Sequence, residues 1–184
     1  YPKNEALDEL KNAGLQQESY WVINPNASDL RLERRWDAAS FVALTDILLE
    51  KNPSLHIVFC GSKSEQPYVS EIEKKCRHRS RISNLAGKTG FDALLGLIDN
   101  AECVITNDTG PLHLSLAYDK KVIGLFGPCS PAQYGQMDRC TAVYRNVYCS
   151  PCVHEFAIPP CRGNNQCMKQ ISLTEVLDAI EKSV

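Results

Sequence analysis

Nowhere does this sequence carry an apolar stretch near the ~20 residues that a helix needs to cross a bilayer, so a transmembrane helix is excluded. A strong excess of charge of either sign is also missing. The formal net charge is −2, which argues against a protein that depends on nucleic-acid phosphates. Two glycine signatures for phosphate are absent. Gly87-Lys88-Thr89 resembles the end of a phosphate loop, but that motif needs a glycine five residues before Gly87, where Ile82 stands. The first apolar run is followed by Asn24-Pro25-Asn26 rather than G-x-G-x-x-G. The opening YPKNEALDEL is polar and acidic, unlike a signal peptide, and it lacks an initiating Met, so a fragment or processed chain is expected.

What is present reads as an ordinary globular chain. Its 184 residues suit one domain, and 43% hydrophobic with 23% charged residues excludes disorder, collagen and coiled coil. Nine cysteines are an odd number and too sparse for a small disulfide scaffold, so a reducing cytosol is the simplest setting. Cys60, Cys76, Cys103, Cys129 and Cys140 are scattered, whereas Cys149, Cys152, Cys161 and Cys167 crowd together.

Short apolar runs alternate with amphipathic ones. Strands are expected at 20–23, 55–60, 81–86, 103–106, 122–126 and 141–144. Helices are expected at 4–13, 37–51, 68–77, 91–99, 112–118 and from Ser172 onward. Phe91, Leu94, Leu95 and Ile98 stand at core spacing, with Thr89 and Asp92 as a capping box. Such alternation means βαβ units: a Rossmann-like parallel sheet with helices on both faces. The expected organisation is one domain over 1–184, with a Cys-rich loop at 145–170. Ligands of such sheets sit beyond the carboxyl ends of the strands. The loops that matter are therefore 24–36, 60–67, 86–90, 106–112 and 126–137.

The sharpest motif is Asn107-Asp108-Thr109-Gly110-Pro111-Leu112-His113, which joins a buried strand to a helix. Thr109 suits the N-cap, Pro111 the first turn, and Gly110 the close approach of a ligand. A helix start offers free N–H groups and partial positive charge to a phosphate, and His113 would face the same pocket. The bland alternative is a well-capped helix with an incidental histidine. Arg31, Arg34 and Arg35, before Trp36, could clamp a diphosphate or be solvated loop charges. The basic residues at 74–81 need only a helix macrodipole to explain them. Cys149-Ser150-Pro151-Cys152, then eight residues, Cys161, five residues and Cys167, could hold a metal, with disulfides or free thiols as the alternatives. Zinc comes first and iron second, because both accept four thiolates.

ITNDTGPLHLSLAYDKKVIGLFGP, preceded by VINPNAS, RRW, VFCGS and NLAGKTGFDALLGLIDNAE, resembles glycosyltransferase family 9, the lipopolysaccharide heptosyltransferases. The resemblance covers about residues 20–182. It implies the C-terminal, donor-binding half of a GT-B enzyme: an inverting, metal-independent glycosyltransferase with its catalytic base in the absent N-terminal half. The donor would be ADP-heptose or a similar nucleotide sugar, and the acceptor a lipid-linked or surface glycan met through the missing half. No nucleic-acid partner is implied, and the setting is cytoplasmic or peripheral on the inner membrane face. By the resemblance, Thr109 and Gly110 meet the diphosphate, and Asp108 and His113 shape its pocket. Arg34 takes the place of a phosphate-contacting Lys, and the Asn24–Ser28 loop lines the donor together with Gly61. Ala86, Gly87 and Lys88 flank base and ribose. Asn26 stands where the family often has Gly, and Asn tolerates φ > 0. Ala86 stands where some members have a ribose-binding Glu. The cysteines recur in members associated with cell-surface glycans. A nucleotide-sugar epimerase is the alternative enzyme, and a zinc-knuckle binding module the alternative of a different class.

Overall fold

The computed structural model describes residues 19–28, 31–134, 139–153 and 155–183. The helix expected at 4–13 lies outside them. Six parallel strands form one sheet: β1 (Tyr20–Asn24), β2 (His56–Phe59), β3 (Ile82–Asn84), β4 (Cys103–Asn107), β5 (Lys121–Phe126) and β6 (Cys140–Tyr144). Their order is β3-β2-β1-β4-β5-β6. Helices α1 (Ala38–Lys51), α2 (Gln66–Lys75), α3 (Phe91–Asn100) and α4 (Gly110–Ala117) connect successive strands, and α5 (Gln166–Lys169) and α6 (Leu173–Ser183) follow β6.

The strands are apolar throughout because helices cover both faces. Along β1, Trp21 and Ile23 join Phe41, Leu44 and Leu48 of α1, Val69 and Ile72 of α2, and Val176 and Ile180 of α6. Tyr20 and Val22 point the other way, toward Val58, Val104 and Leu97. Truncating a side chain as deeply buried as Leu44 to Ala costs about 2–5 kcal/mol.

Local signals explain most boundaries. Asp37 caps α1 by accepting from the Ser40 N–H at 3.1 Å. Ser172 and Glu175 form a reciprocal box at the start of α6: the Ser172 N–H donates to Glu175 Oε2 at 2.9 Å, and the Glu175 N–H to Ser172 Oγ at 3.2 Å. The Thr89–Asp92 box does not form. Gly90 occupies the N-cap of α3, so Thr89 lies one residue too early, and no side chain caps the turn.

The basic residues after α2 act on a neighbour rather than only on their own helix. Arg81 donates to the carbonyls of Leu49, Asn52, Pro53 and Leu55 around the end of α1. Arg77 donates to the buried Asp46 carboxylate of α1 at 3.1 Å. Both contacts fix the C-terminal half of α1 against the segment that leads into β3.

Candidate functional site

The strand order reverses between β1 and β4, where the flanking loops diverge and leave a crevice. A cavity of about 560 Å³ opens there. Its wall comes from Asn24, Asn26 and Ser28 after β1, Cys60, Gly61, Ser62, Ser64 and Glu65 after β2, Thr89 to Phe91 and Leu94 at the start of α3, and Thr109 to Pro111 at the start of α4. Four of the five loops expected to matter contribute.

Beneath the cavity lies a buried polar network. The Asn24 amide donates to Thr106 Oγ1 at 3.0 Å and to Thr109 Oγ1 at 2.9 Å. The Asn26 amide donates to Asn24 Oδ1 at 3.0 Å and to the Cys60 carbonyl at 2.7 Å. Asn107 holds the returning loop, donating to the Asn26 carbonyl at 3.0 Å and accepting from the Trp36 N–H at 3.1 Å. Asn24, Asn26, Thr106 and Asn107 are all buried. A buried polar group without partners is costly, and this network supplies partners for the ends of β1, β2 and β4 together.

Asn26 is not in the left-handed region, so its tolerance of positive φ is not what the position uses. It uses the amide, which ties β1 to β2. Gly61 makes room for it: a Cβ on Gly61 would stand 2.6 Å from Asn26 Nδ2.

Thr109 occupies the N-cap of α4, but its hydroxyl makes no capping bond. It accepts from Asn24 and lies 3.3 Å from the Asn107 carbonyl, to which it donates. The first turn of α4 therefore has no side-chain cap; Pro111 carries no N–H and the Leu112 N–H donates to the Thr109 carbonyl at 3.0 Å, which leaves the Gly110 backbone and the positive end of the helix beside the cavity. A Cβ on Gly110 would meet no protein atom within 4 Å, so the space above that backbone is open.

Among the expected donor residues, Asn24, Ser28, Gly61, Thr109 and Gly110 share this wall. The others do not line it. Asp108 is buried behind the turn. Arg34 donates to the Asp108 carbonyl at 3.2 Å and lies 3.6 Å from its carboxylate. His113 is 46% exposed at the side chain, 3.8 Å from that carboxylate. Ala86 is fully buried. Gly87 turns the chain at φ +72°, with Lys63 and Gln66 close by, and Lys88 donates to the Asn84 carbonyl at 2.8 Å. Arg31 pairs with Glu33, and Arg35 donates to the Ala27 carbonyl and stacks on Tyr68. Each loop arginine thus has a protein partner, while among the described residues Nε of Arg34 and of Arg35 is buried without one.

Glu65, Phe91 and Leu94 line the cavity although the sequence pattern did not single them out as site residues. Phe91, expected in the core, is 65% exposed. Its place directly after Gly90 at a helix start is the available signal. Glu65 accepts from both the N–H and the hydroxyl of Ser62, each at 2.8 Å. Burial pushes the Cys60 thiol up to about 12, so it is neutral at physiological pH.

The Cys-rich loop docks beside this end of the sheet. Cys152 and Val153 donate to the Pro128 carbonyl at 2.8 and 3.1 Å, and Trp36 Nε1 donates to the Ile171 carbonyl at 2.9 Å. Asn165 reaches the Arg35 carbonyl at 3.3 Å. No disulfide joins the cysteines. Burial raises Cys167 to about 11, and the neighbouring Cys152, Cys149 and Cys161 add to the shift; Cys152 is raised by burial, then by Cys149 and Cys161. The four thiols thus share one neighbourhood. Among the described residues, however, no three His, Cys, Asp or Glu side chains stand as a metal-holding group.

A doubly wound parallel sheet with its cavity at the switch point defines a Rossmann-like α/β domain. The family model of glycosyltransferase family 9 (heptosyltransferase) matches residues 2–161, and the chain belongs to that family. Lipooligosaccharide heptosyltransferase 2 of Campylobacter jejuni is 29% identical over 163 residues, covering 87% of this chain and 50% of that protein. The structure of E. coli ADP-heptose lps heptosyltransferase II superposes with a TM-score of 0.81 at 20% identity, covering 99% of this chain and 51% of that one. TibC of enterotoxigenic E. coli, an iron-containing dodecameric glycosyltransferase, shares the fold with a TM-score of 0.65 at 12% identity, covering 90% and 45%. The chain therefore spans about half the length of these relatives. Among the described residues no helix is long and apolar enough to cross a membrane.

Proposed function

We propose that this chain is the donor-binding half of an inverting glycosyltransferase, which passes a sugar from a nucleoside diphosphate to a hydroxyl of a lipid-linked or surface glycan. The observation that carries the reading is the switch-point cavity, closed on one side by the uncapped first turn of α4. That turn favours an anion by about 0.3–1 kcal/mol, and by up to ~2 kcal/mol where partly buried. Diphosphate charge, which grows as the glycosidic bond breaks, falls at the positive end of this helix. Asp108, held by Arg34, keeps the turn in place from behind. In this reading His113 reaches the diphosphate from the rim, and no metal is needed at the phosphates. ADP-heptose is the first donor to test, because the E. coli protein of like fold is named for it.

A base for the acceptor hydroxyl does not come from this wall. Cys60 is neutral, and Glu65 is engaged with Ser62. The base and the acceptor belong to the remaining half in this reading. Such an enzyme works in the cytoplasm, at the inner membrane face where a lipid-linked acceptor is presented. Titrating ADP, GDP and UDP by calorimetry into wild type, Thr109→Ser and Thr109→Val tests the site. Thr109→Val strands the Asn24 amide and unties the turn from β1, so binding should weaken roughly tenfold, while Thr109→Ser, which keeps the hydroxyl, stays close to wild type. Equal affinity in all three proteins would put the phosphates elsewhere.

We also propose that Cys149, Cys152, Cys161 and Cys167 hold a structural zinc or iron ion. Four thiols in one neighbourhood of a long irregular segment support it, and four thiolates suit either metal. TibC is iron-containing. Elemental analysis of protein purified without chelator, with a free-thiol count under denaturation, tests this. One metal per chain is expected. Absence of metal with four missing thiols would establish disulfides instead.

A further inference from the structure

The two ends of the cavity differ in chemistry. The start of α4 is polar, with the Gly110 backbone, the positive helix end and the Thr109 hydroxyl. The start of α3 is apolar, with Phe91 and Leu94. The loop after β2 adds Glu65, whose carboxylate is the one formal charge on the wall among the described residues. A carboxylate repels phosphate oxygens and accepts from hydroxyls, so this stretch suits a ribose and not a diphosphate. With phosphates at the polar start of α4, the apolar end at α3 is left for the base.

Phe91 is suited to meet it. Side chains in a helix lean toward its N-terminus, and Phe91 is the first residue of α3. Its ring therefore leans over the mouth of the cavity. Gly90 before it leaves the approach clear, since a Cβ there would meet nothing within 4 Å. The ring is 65% exposed, although a phenylalanine at that helical spacing would ordinarily be buried. An aromatic face left open to solvent beside a polar cavity is a stacking platform for another flat ring.

We infer that Phe91 is the nucleobase-binding residue of this domain, stacking its ring on the base of a nucleoside diphosphate whose phosphates lie at the start of α4. The inference rests on the donor-site reading above. Ala86, fully buried with its N–H turned to Asn84, offers no side chain to the edge of a base. Recognition at this end is then by ring area more than by hydrogen-bond pattern. Purine diphosphates bind more tightly than pyrimidine ones, with no sharp choice between adenine and guanine.

The experiment titrates ADP, UDP and inorganic pyrophosphate into wild type, Phe91→Ala and Phe91→Trp, with thermal unfolding as the folding control. Phe91→Ala should weaken ADP about tenfold, a typical loss for one stacked base, weaken UDP less, and leave pyrophosphate unchanged. Phe91→Trp should keep ADP affinity, and its added indole fluorescence should be quenched by ADP and not by pyrophosphate. ADP affinity unchanged in Phe91→Ala, alongside a loss in Thr109→Val, would overturn the inference and leave the phosphate site standing. If neither ADP nor pyrophosphate binds the wild type, both fail.

Discussion

Asn26 and Gly61 should behave as one unit, and a double-mutant cycle can show it. The Asn26 amide donates both its protons, to Asn24 Oδ1 and to the Cys60 carbonyl, and the residue is only 2% exposed. At about 1 kcal/mol net for each bond, Asn26→Ala should cost about 2 kcal/mol, and more if the stranded acceptors find no replacement. Gly61→Ala places a methyl group 2.6 Å from the same amide nitrogen, whereas the next side-chain atoms, Ala86 Cβ among them, are at an ordinary 3.4 Å. The methyl group can be accommodated only by pushing the amide off its acceptors, at about 1–3 kcal/mol. Once Asn26 is Ala the obstacle is gone, and Gly61→Ala should cost little more. The coupling energy is then about 1–3 kcal/mol, read from urea unfolding of the wild type, both single variants and the double variant followed by circular dichroism. Effects that add to within about 0.5 kcal/mol would mean that the two residues act independently, and the account of this loop would fail.

The fold was legible because βαβ architecture writes itself into the sequence at short range. Continuous runs such as VIGLF, flanked by Gly and Pro, need cover on both faces, and only a parallel sheet with helices on both sides provides it. The strand order was not legible. Nothing in the pattern distinguishes β6 (Cys140–Tyr144) as the edge strand beside β5, because order depends on crossovers rather than on composition. The helix starts expected at 37 and 172 carry side-chain caps, from Asp37 and from Ser172 with Glu175. At Thr89 a glycine stood one residue later and took the position.

Within the site, the 107–113 turn was visible as strand, turn and helix start. The roles of its neighbours were not. Arg34, Arg35 and Lys88 have protein partners that sequence does not show, because it does not reveal which carbonyls a folded loop leaves within reach; Asp108, Ala27 and Asn84 supply them. Arg77 and Arg81 looked like charges serving their own helix, and instead they hold α1. Phe91 was assigned to the core from its spacing with Leu94 and Ile98. Spacing places a residue on a face, but at the first turn of a helix that face can run past the end of the core.

Three further outcomes are expected. The 184-residue chain alone should bind nucleoside diphosphate without transferring sugar to a glycan acceptor, since the described cavity wall supplies no free base; turnover at a rate typical of enzymes would refute this. Arg81→Met keeps the length and apolar stem but loses the charge-assisted bonds to four carbonyls at the end of α1. It should lower stability by about 2 kcal/mol in urea unfolding, and an unchanged midpoint would make those contacts incidental. The last expectation is loss of stability in alkali. Burial raises Cys60 and Cys103 from 9.0 to about 12, because the core cannot solvate a thiolate. Raised acids favour the fold while protonated. Their contribution is complete below pH 9, where the unfolded thiols are also neutral, and is lost as pH climbs from 9 toward 12. Above about pH 10 the unfolded thiols have ionised and the folded ones have not, so each removes about 1.4 kcal/mol per pH unit. Urea unfolding in reductant between pH 8 and 10.5 should show stability falling, and the Cys60→Ala/Cys103→Ala protein should show a shallower fall from its own lower starting value. Parallel slopes in the two proteins would mean that these thiols do not feel the burial their positions imply.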